Sequence, residues 1–117
     1  MSPGVDVSVI VSTCDRAENT RSLLMSLQEV KVRPDTSWEL VLVNNGSTDN
    51  TDKVVNYFLQ HAHYFITYLY EKRRGKSQGL NTGIAAASGK ILAFTDDDVY
   101  TSPDWVQVIC DYFKNNH

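Results

Sequence analysis

Short β-branched runs alternate with amphipathic stretches along the whole chain. Val7-Ser8-Val9-Ile10-Val11-Ser12 comes first, and its length and composition predict a buried strand. Leu23, Leu24, Leu27 and Val30 then recur at helical spacing until Pro34 and Asp35 break the pattern. Trp38 to Val43 is almost continuously apolar, as an interior strand requires. Asn44-Asn45-Gly46 predicts a turn, and Ser47 or Asp49 is placed to cap the next helix, with Val54, Val55, Phe58, Leu59 and Ala62 as its apolar stripe. Phe65 to Tyr70 reads as a third strand. Leu80, Ile84 and Ala87 mark a short helix that Ser88-Gly89 ends with glycine on its C-terminal side. Ile91 to Thr95 is a fourth strand. Ser102-Pro103-Asp104 opens a last helix, serine as cap and proline at its first position, with Val106, Ile109, Cys110 and Phe113 apolar.

Strand and helix thus alternate four times with short connections. That order predicts parallel strands joined by right-handed crossovers, with helices on both faces: a three-layer α/β sandwich with a mainly parallel sheet. At 117 residues the chain fits one compact domain. Its 11 basic and 14 acidic side chains give a net charge of −3, which argues against a general nucleic-acid binder. A hydrophobic fraction of 42% excludes a disordered chain, yet no apolar run approaches the roughly 20 residues of a membrane span. The N-terminal residues resemble no signal peptide, and two cysteines, Cys14 and Cys110, make no disulfide framework. The expected location is cytoplasmic, with the inner face of the membrane as the alternative for a full-length protein.

In open α/β sheets, ligands bind beyond the carboxyl ends of the strands, where strand order reverses. That selects the loops Thr13–Asn19, Asn44–Asp49, Glu71–Gly79 and Asp96–Tyr100, all polar. With a spatial order of 3-2-1-4, Thr13-Cys14-Asp15-Arg16 lies beside Asp96-Asp97-Asp98. Three adjacent carboxylates repel one another, so they are either a solvated turn or the seat of a cation. A position directly after an apolar strand favours the cation, and oxygen ligands suit Mg²⁺ or Mn²⁺. Alternation out of the strand puts Asp96 and Asp98 on one side and turns Asp97 elsewhere. Lys72, Arg73, Arg74 and Lys76 gather four of the basic residues in one glycine-bearing loop, which either holds phosphates or is simply solvated.

Other patterns are weaker. Gly75-Lys76-Ser77 looks like the end of a Walker phosphate loop, but Tyr70 stands where that motif needs glycine. No GxGxxG follows the first strand. His61 and His63 are two apart on a helix and share no face. Cys14 has no neighbouring histidine to activate it, so packing or base contact fits better than a nucleophile. Tyr100 is the one aromatic placed near the acidic triplet.

Four of these segments together resemble family 2 glycosyltransferases with the GT-A fold. They are Val7 to Arg16, Glu39 to Asp49, Arg74 to Ile84, and Gly89 to Asp98, in the usual order and separation. The resemblance implies a Rossmann-like nucleotide-binding unit that uses a nucleotide-diphosphate sugar with Mg²⁺ or Mn²⁺. By that likeness Ser12, Thr13 and Cys14 line the base pocket, with Arg16 nearby. Asn44 stands where the family often has an aspartate that hydrogen-bonds the base; an amide still offers an acceptor and a donor. Lys76 and Asn81 lie along the diphosphate and sugar. Asp96 and Asp98 form the metal-binding Asp-x-Asp, Asp96 also bordering the nucleotide sugar, with Asp97 able to contact ribose or sugar.

Inverting members resemble one another in carrying a carboxylate base on a later segment. After the triplet this sequence has only Asp104 and Asp111, both assigned to the last helix. The expectation is therefore a nucleotide-sugar-binding part, residues 1–117, without the acceptor-binding half. It would bind donor and metal, with little or no transfer to an unspecified glycan, lipid or polysaccharide acceptor. A sheet edge left bare allows self-association. The competing classes are a metal-dependent nucleotidyltransferase, which wants a glycine-rich basic first loop, and a receiver-type Mg²⁺ module, which wants paired acids after the first strand.

Overall fold

The computed structural model describes residues 4–115. Its elements alternate as β1 Val5–Thr13, α1 Ala17–Leu27, β2 Trp38–Asn44, α2 Thr51–His61, β3 Phe65–Tyr70, α3 Lys76–Ala86, β4 Gly89–Phe94 and α4 Trp105–Asn115. The four strands form one parallel sheet in the order β3-β2-β1-β4, as expected. Thr13 is level with Asn44, and Asn44 with Tyr70, so three strand ends reach the same rim.

The two faces of the sheet are covered differently. Val7, Val9 and Val11 of β1 and Leu40 and Leu42 of β2 pack in one cluster with Leu23, Leu24, Leu27, Val54, Val55, Phe58, Val106 and Cys110. Each fully buried aliphatic side chain there contributes about 1.5–3 kcal/mol. The opposite face, with Ile10, Val41 and Val43, meets α3. Here the expected stripe is overturned. The residues of α3 that are buried are Gly79 and Gly83, while Leu80 is half-buried and Ile84 exposed. A Cβ on Gly83 would come within 2.7 Å of Ile10 Cγ2, and one on Gly79 within 2.2 Å of Ser12 Oγ. The helix lies so close to the sheet that only hydrogen fits between them.

Three further expectations are corrected. Leu59 is exposed, because Val54, Val55 and Phe58 already fill the contact of α2 with the core. Gly89 does not cap α3; it begins β4, where a Cβ would meet the backbone nitrogen of Ser8 at 2.5 Å. Helix α4 starts at Trp105 rather than at Pro103. The Trp105 N–H bonds the Ser102 carbonyl and the Val108 N–H bonds that of Asp104, so Ser102 to Asp104 form a turn that leads into the helix.

Polar groups at the opposite end of the sheet explain its otherwise odd Ser8 and Glu39. Ser8 Oγ donates to Glu39 Oε2 at 2.6 Å, the same oxygen accepts the Ser88 N–H, and the Gly89 N–H donates to Ser8 Oγ. The α3–β4 turn is thereby tied to β1 and β2, with every buried partner satisfied.

Candidate nucleotide-sugar site

Beyond the carboxyl ends of the strands lies a cleft of about 440 Å³. Ser12 and Thr13 line it from the end of β1, and Cys14 and Arg16 from the following loop. Asn45 enters from the end of β2, Arg74, Gly75 and Lys76 from the start of α3, and Asp96, Asp97 and Asp98 from the end of β4. Seven of the nine side chains expected at a donor site therefore line one cavity, as does Asp98. Asn44 and Asn81 do not.

The acidic triplet divides as alternation requires. Asp97 turns inward and is 6% exposed. Its Oδ2 accepts from Thr13 Oγ1 at 2.8 Å, and its Oδ1 from Arg16 Nη1 at 3.2 Å. Thr13 Oγ1 also lies 2.9 Å from Thr20 Oγ1 on α1, so the loop after β4 is anchored through β1 to the core. The side chains of Asp96 and Asp98 stay about half exposed, at 55% and 56%. Asp96 receives the Lys76 ammonium, and Asp98 lies 3.8 Å from Arg16. The hydrogen bond to Asp96 raises the Lys76 pKa above the ordinary lysine value.

Among the described residues no three His, Cys, Asp or Glu side chains gather into a ready-made metal cage. Mg²⁺ and Mn²⁺ do not need one, since they commonly take one or two carboxylates plus phosphate oxygens and water. Two open carboxylates on one side, each already facing a cation, fit that demand.

The basic loop also divides. Arg73 is bound to Glu71, and Thr82 Oγ1 donates to the same carboxylate. The bonds from Arg73, then from Thr82, hold the Glu71 carboxyl well below the usual range. With Arg73 so engaged, Arg74 and Lys76 are the basic residues of this loop that reach the cleft. Gly75 between them has φ +114°, a conformation other residues rarely adopt. Its carbonyl accepts from Asn45 Nδ2 at 2.6 Å, which fixes the start of α3 to the end of β2.

Asn44 and Asn45 show how alternation sorts neighbours. Val41 and Val43 face α3, and Asn45 continues that side. Asn44 points the other way, where its amide donates to Tyr68 Oη at 2.7 Å and to Asp52 at 3.5 Å. Its Oδ1 accepts the Ser47 N–H. Asp52 also accepts from the Tyr68 and Tyr70 hydroxyls, which lower its pKa. The asparagine expected at the base is thus 2% exposed and fully bonded within the rim.

Sequence reasoning passed over Asp15. It has φ +52°, and its Oδ1 accepts the N–H groups of Thr48 and Asp49 while its own N–H donates to Ser47 Oγ. Asp49 in turn accepts the Ala17 N–H with one oxygen and the Thr51 N–H with the other. One carboxylate therefore serves the N-termini of both α1 and α2. The loop after β2 is a buttress for the loop after β1.

The model for glycosyl transferase family 2 matches residues 8–117. This chain belongs to that family. An uncharacterised glycosyltransferase of Nostoc sp. is 31% identical over 110 residues, which is 94% of this chain and 33% of that protein. Among solved structures, a mannosyltransferase of Pyrobaculum calidifontis in complex with GDP-Man and Mn²⁺ is 33% identical, with a TM-score of 0.73 over 83% of this chain and 28% of the other. S. aureus TarS 1–349 in complex with UDP aligns over 97% of this chain and 33% of the other, with a TM-score of 0.86; at 24% identity it speaks to the fold alone. The parallel sheet in the order 3-2-1-4, flanked by helices, is the GT-A arrangement expected from the sequence. The family 2 chain spans about a third of the length of the curated relatives it matches first. Among its described residues no helix is long and apolar enough to cross a membrane.

Proposed function

We propose that residues 1–117 form the nucleotide-sugar-binding part of a GT-A glycosyltransferase domain, holding a nucleoside-diphosphate sugar together with Mg²⁺ or Mn²⁺. The observation that carries this reading is one cleft with open carboxylates of Asp96 and Asp98 on one side and Arg74 and Lys76 beside them. A sugar nucleotide needs both charges at once, because its diphosphate is an anion that anionic side chains can approach only through a cation.

In this reading Ser12, Thr13 and Cys14 border the base and Arg74 and Lys76 the diphosphate. Asn45 replaces Asn44 as the amide at the cleft. Asn81, exposed further along α3, is left for an extended ligand. Asp97 acts from behind by fixing the loop that carries its neighbours. Asp96 and Asp98 would hold the metal, which when bound supplies positive charge to the departing diphosphate. Arg74 and Lys76 add donors to the same anion as charge develops on it.

Acceptor binding and the general base belong, in this reading, to residues outside the 117. Asp111 is paired with Arg33, and neither it nor Asp104 lines the cleft, so neither is placed to take a proton there. Leu92 and Phe94, exposed on the edge strand β4, support an edge that is covered by further chain or by self-association. A cytoplasmic location accords with the free thiols of Cys14 and Cys110.

Calorimetric titration with a panel of nucleoside diphosphates, with and without Mn²⁺, tests the reading. Metal-dependent binding of one nucleotide that disappears in Asp96→Ala and Asp98→Ala is expected. Binding indifferent to both substitutions would refute it.

A further inference from the structure

We infer that Lys76 is an exchangeable counter-ion: it pairs with Asp96 and passes to the diphosphate when ligand and metal bind, coupling the two binding events. The inference rests on the donor-site reading above. Its basis is an asymmetry between the two cations that touch the triplet.

Arg16 has two carboxylate partners, Asp97 at 3.2 Å and Asp98 at 3.8 Å. Should a divalent ion take Asp98, the guanidinium keeps the nearer, buried Asp97. Lys76 has Asp96 as its one ion-pair partner among the described residues. An ion at Asp96 therefore leaves its ammonium beside a like charge without its ion-pair partner, Asp97 and Asp98 acting on it only from further away. Metal alone must bear that repulsion, and diphosphate alone must bear three carboxylates across the cleft. Bound together, each relieves the other: the ion answers the carboxylates and the diphosphate accepts Lys76.

The position of Lys76 suits the transfer. It is the first residue of α3, directly after Gly75, and its side chain is 62% exposed. The ammonium can swing between partners by rotamer change without moving the helix. Linkage then requires the coupling to be reciprocal, metal tightening nucleotide by the factor by which nucleotide tightens metal.

The test is a full calorimetric cycle on the 117-residue chain: Mn²⁺ alone, UDP or GDP alone, and each in the presence of the other. The original chain is expected to show positive coupling. In Lys76→Gln, Mn²⁺ alone binds tighter, by up to about fivefold for an exposed pair. Nucleotide without metal binds weaker, and the coupling factor falls by roughly fivefold or more. Lys76→Arg, which preserves the charge, retains most of the coupling. Coupling and Mn²⁺ affinity unchanged in Lys76→Gln overturn the exchange. If Asp96→Asn still abolishes Mn²⁺ binding in that case, the donor site stands without it. Mn²⁺ binding insensitive to Asp96→Asn overturns the exchange and the donor-site reading together.

Discussion

Thr13 Oγ1 and Asp97 Oδ2 are hydrogen-bonded at 2.8 Å although 84 positions separate them in the chain. This bond sets the acidic loop against the end of β1, and Asp96 and Asp98 owe their place in the cleft to it. Asp97→Ala removes the acceptor of the buried Thr13 hydroxyl and the nearer partner of Arg16. A loss of about 1–3 kcal/mol is expected in urea unfolding. Asp97→Asn keeps one acceptor and should lose less.

Gly79 marks the closest approach of α3 to β1. Gly79→Ala places a methyl 2.2 Å from Ser12 Oγ and 2.9 Å from Asn45 Nδ2. Either Ser12 and Asn45 give way or the helix lifts, at a cost of about 1–3 kcal/mol, and a lift carries Lys76 and the preceding Arg74 with it. Thermal unfolding should report the destabilisation and nucleotide titration a weaker complex. Ile84→Ala, at an exposed position of the same helix, should change stability far less.

The contrast between those two positions marks where the sequence stops being readable. Strands with β-branched residues, such as Val7 to Ser12, announce themselves by composition, and alternation with helices leaves few topologies open. The rim loops follow from the topology, which brings out Asp96 to Asp98, whereas Ser12, Thr13, Arg16 and Lys76 are named as site residues through the resemblance to the family. Helix α3 misleads because apolar periodicity points to Leu80 and Ile84. Its true contact is the absence of side chains at Gly79 and Gly83, which depends on how near β1 passes. Asn44 misleads for a related reason. Its likeness to a base-contacting aspartate says nothing of the Tyr68 and Asp52 groups that engage its amide. The parity of Val41, Val43 and Asn45 was the available signal. Asp15, and Asp49 in its bond to the Ala17 N–H, gain their roles from backbone N–H groups more than 30 residues away, which no local pattern records; the bond of Asp49 to the Thr51 N–H at the start of α2 is the legible part.

Glu71 predicts an acid-side dependence of stability. Its folded-state pKa lies below the ordinary glutamate value of 4.5, so its contribution is complete above that value and is lost as pH falls through the folded-state pKa. Glu71→Gln should therefore be less stable than the original chain by a constant amount above about pH 6, and the gap should close in acid. Urea midpoints measured across pH for both chains check the sign. A gap that widened in acid would be inconsistent with Arg73 and Thr82 as its partners.

Asp49 serves two helix starts from one side chain. Asp49→Ala removes the acceptors of the Ala17 and Thr51 N–H groups, and a fall in Tm of roughly 5 °C is expected. Asp49→Asn, which keeps an acceptor oxygen, should recover part of it.

Crystals grown with Mn²⁺ and the nucleoside diphosphate selected by titration offer the most direct examination of the donor cleft. Anomalous scattering should locate manganese against Asp96 and Asp98, with both phosphates on the side of Arg74 and Lys76. Manganese remote from those two carboxylates, or a nucleotide seated elsewhere such as the groove between α1 and α2 near Tyr57, would contradict it.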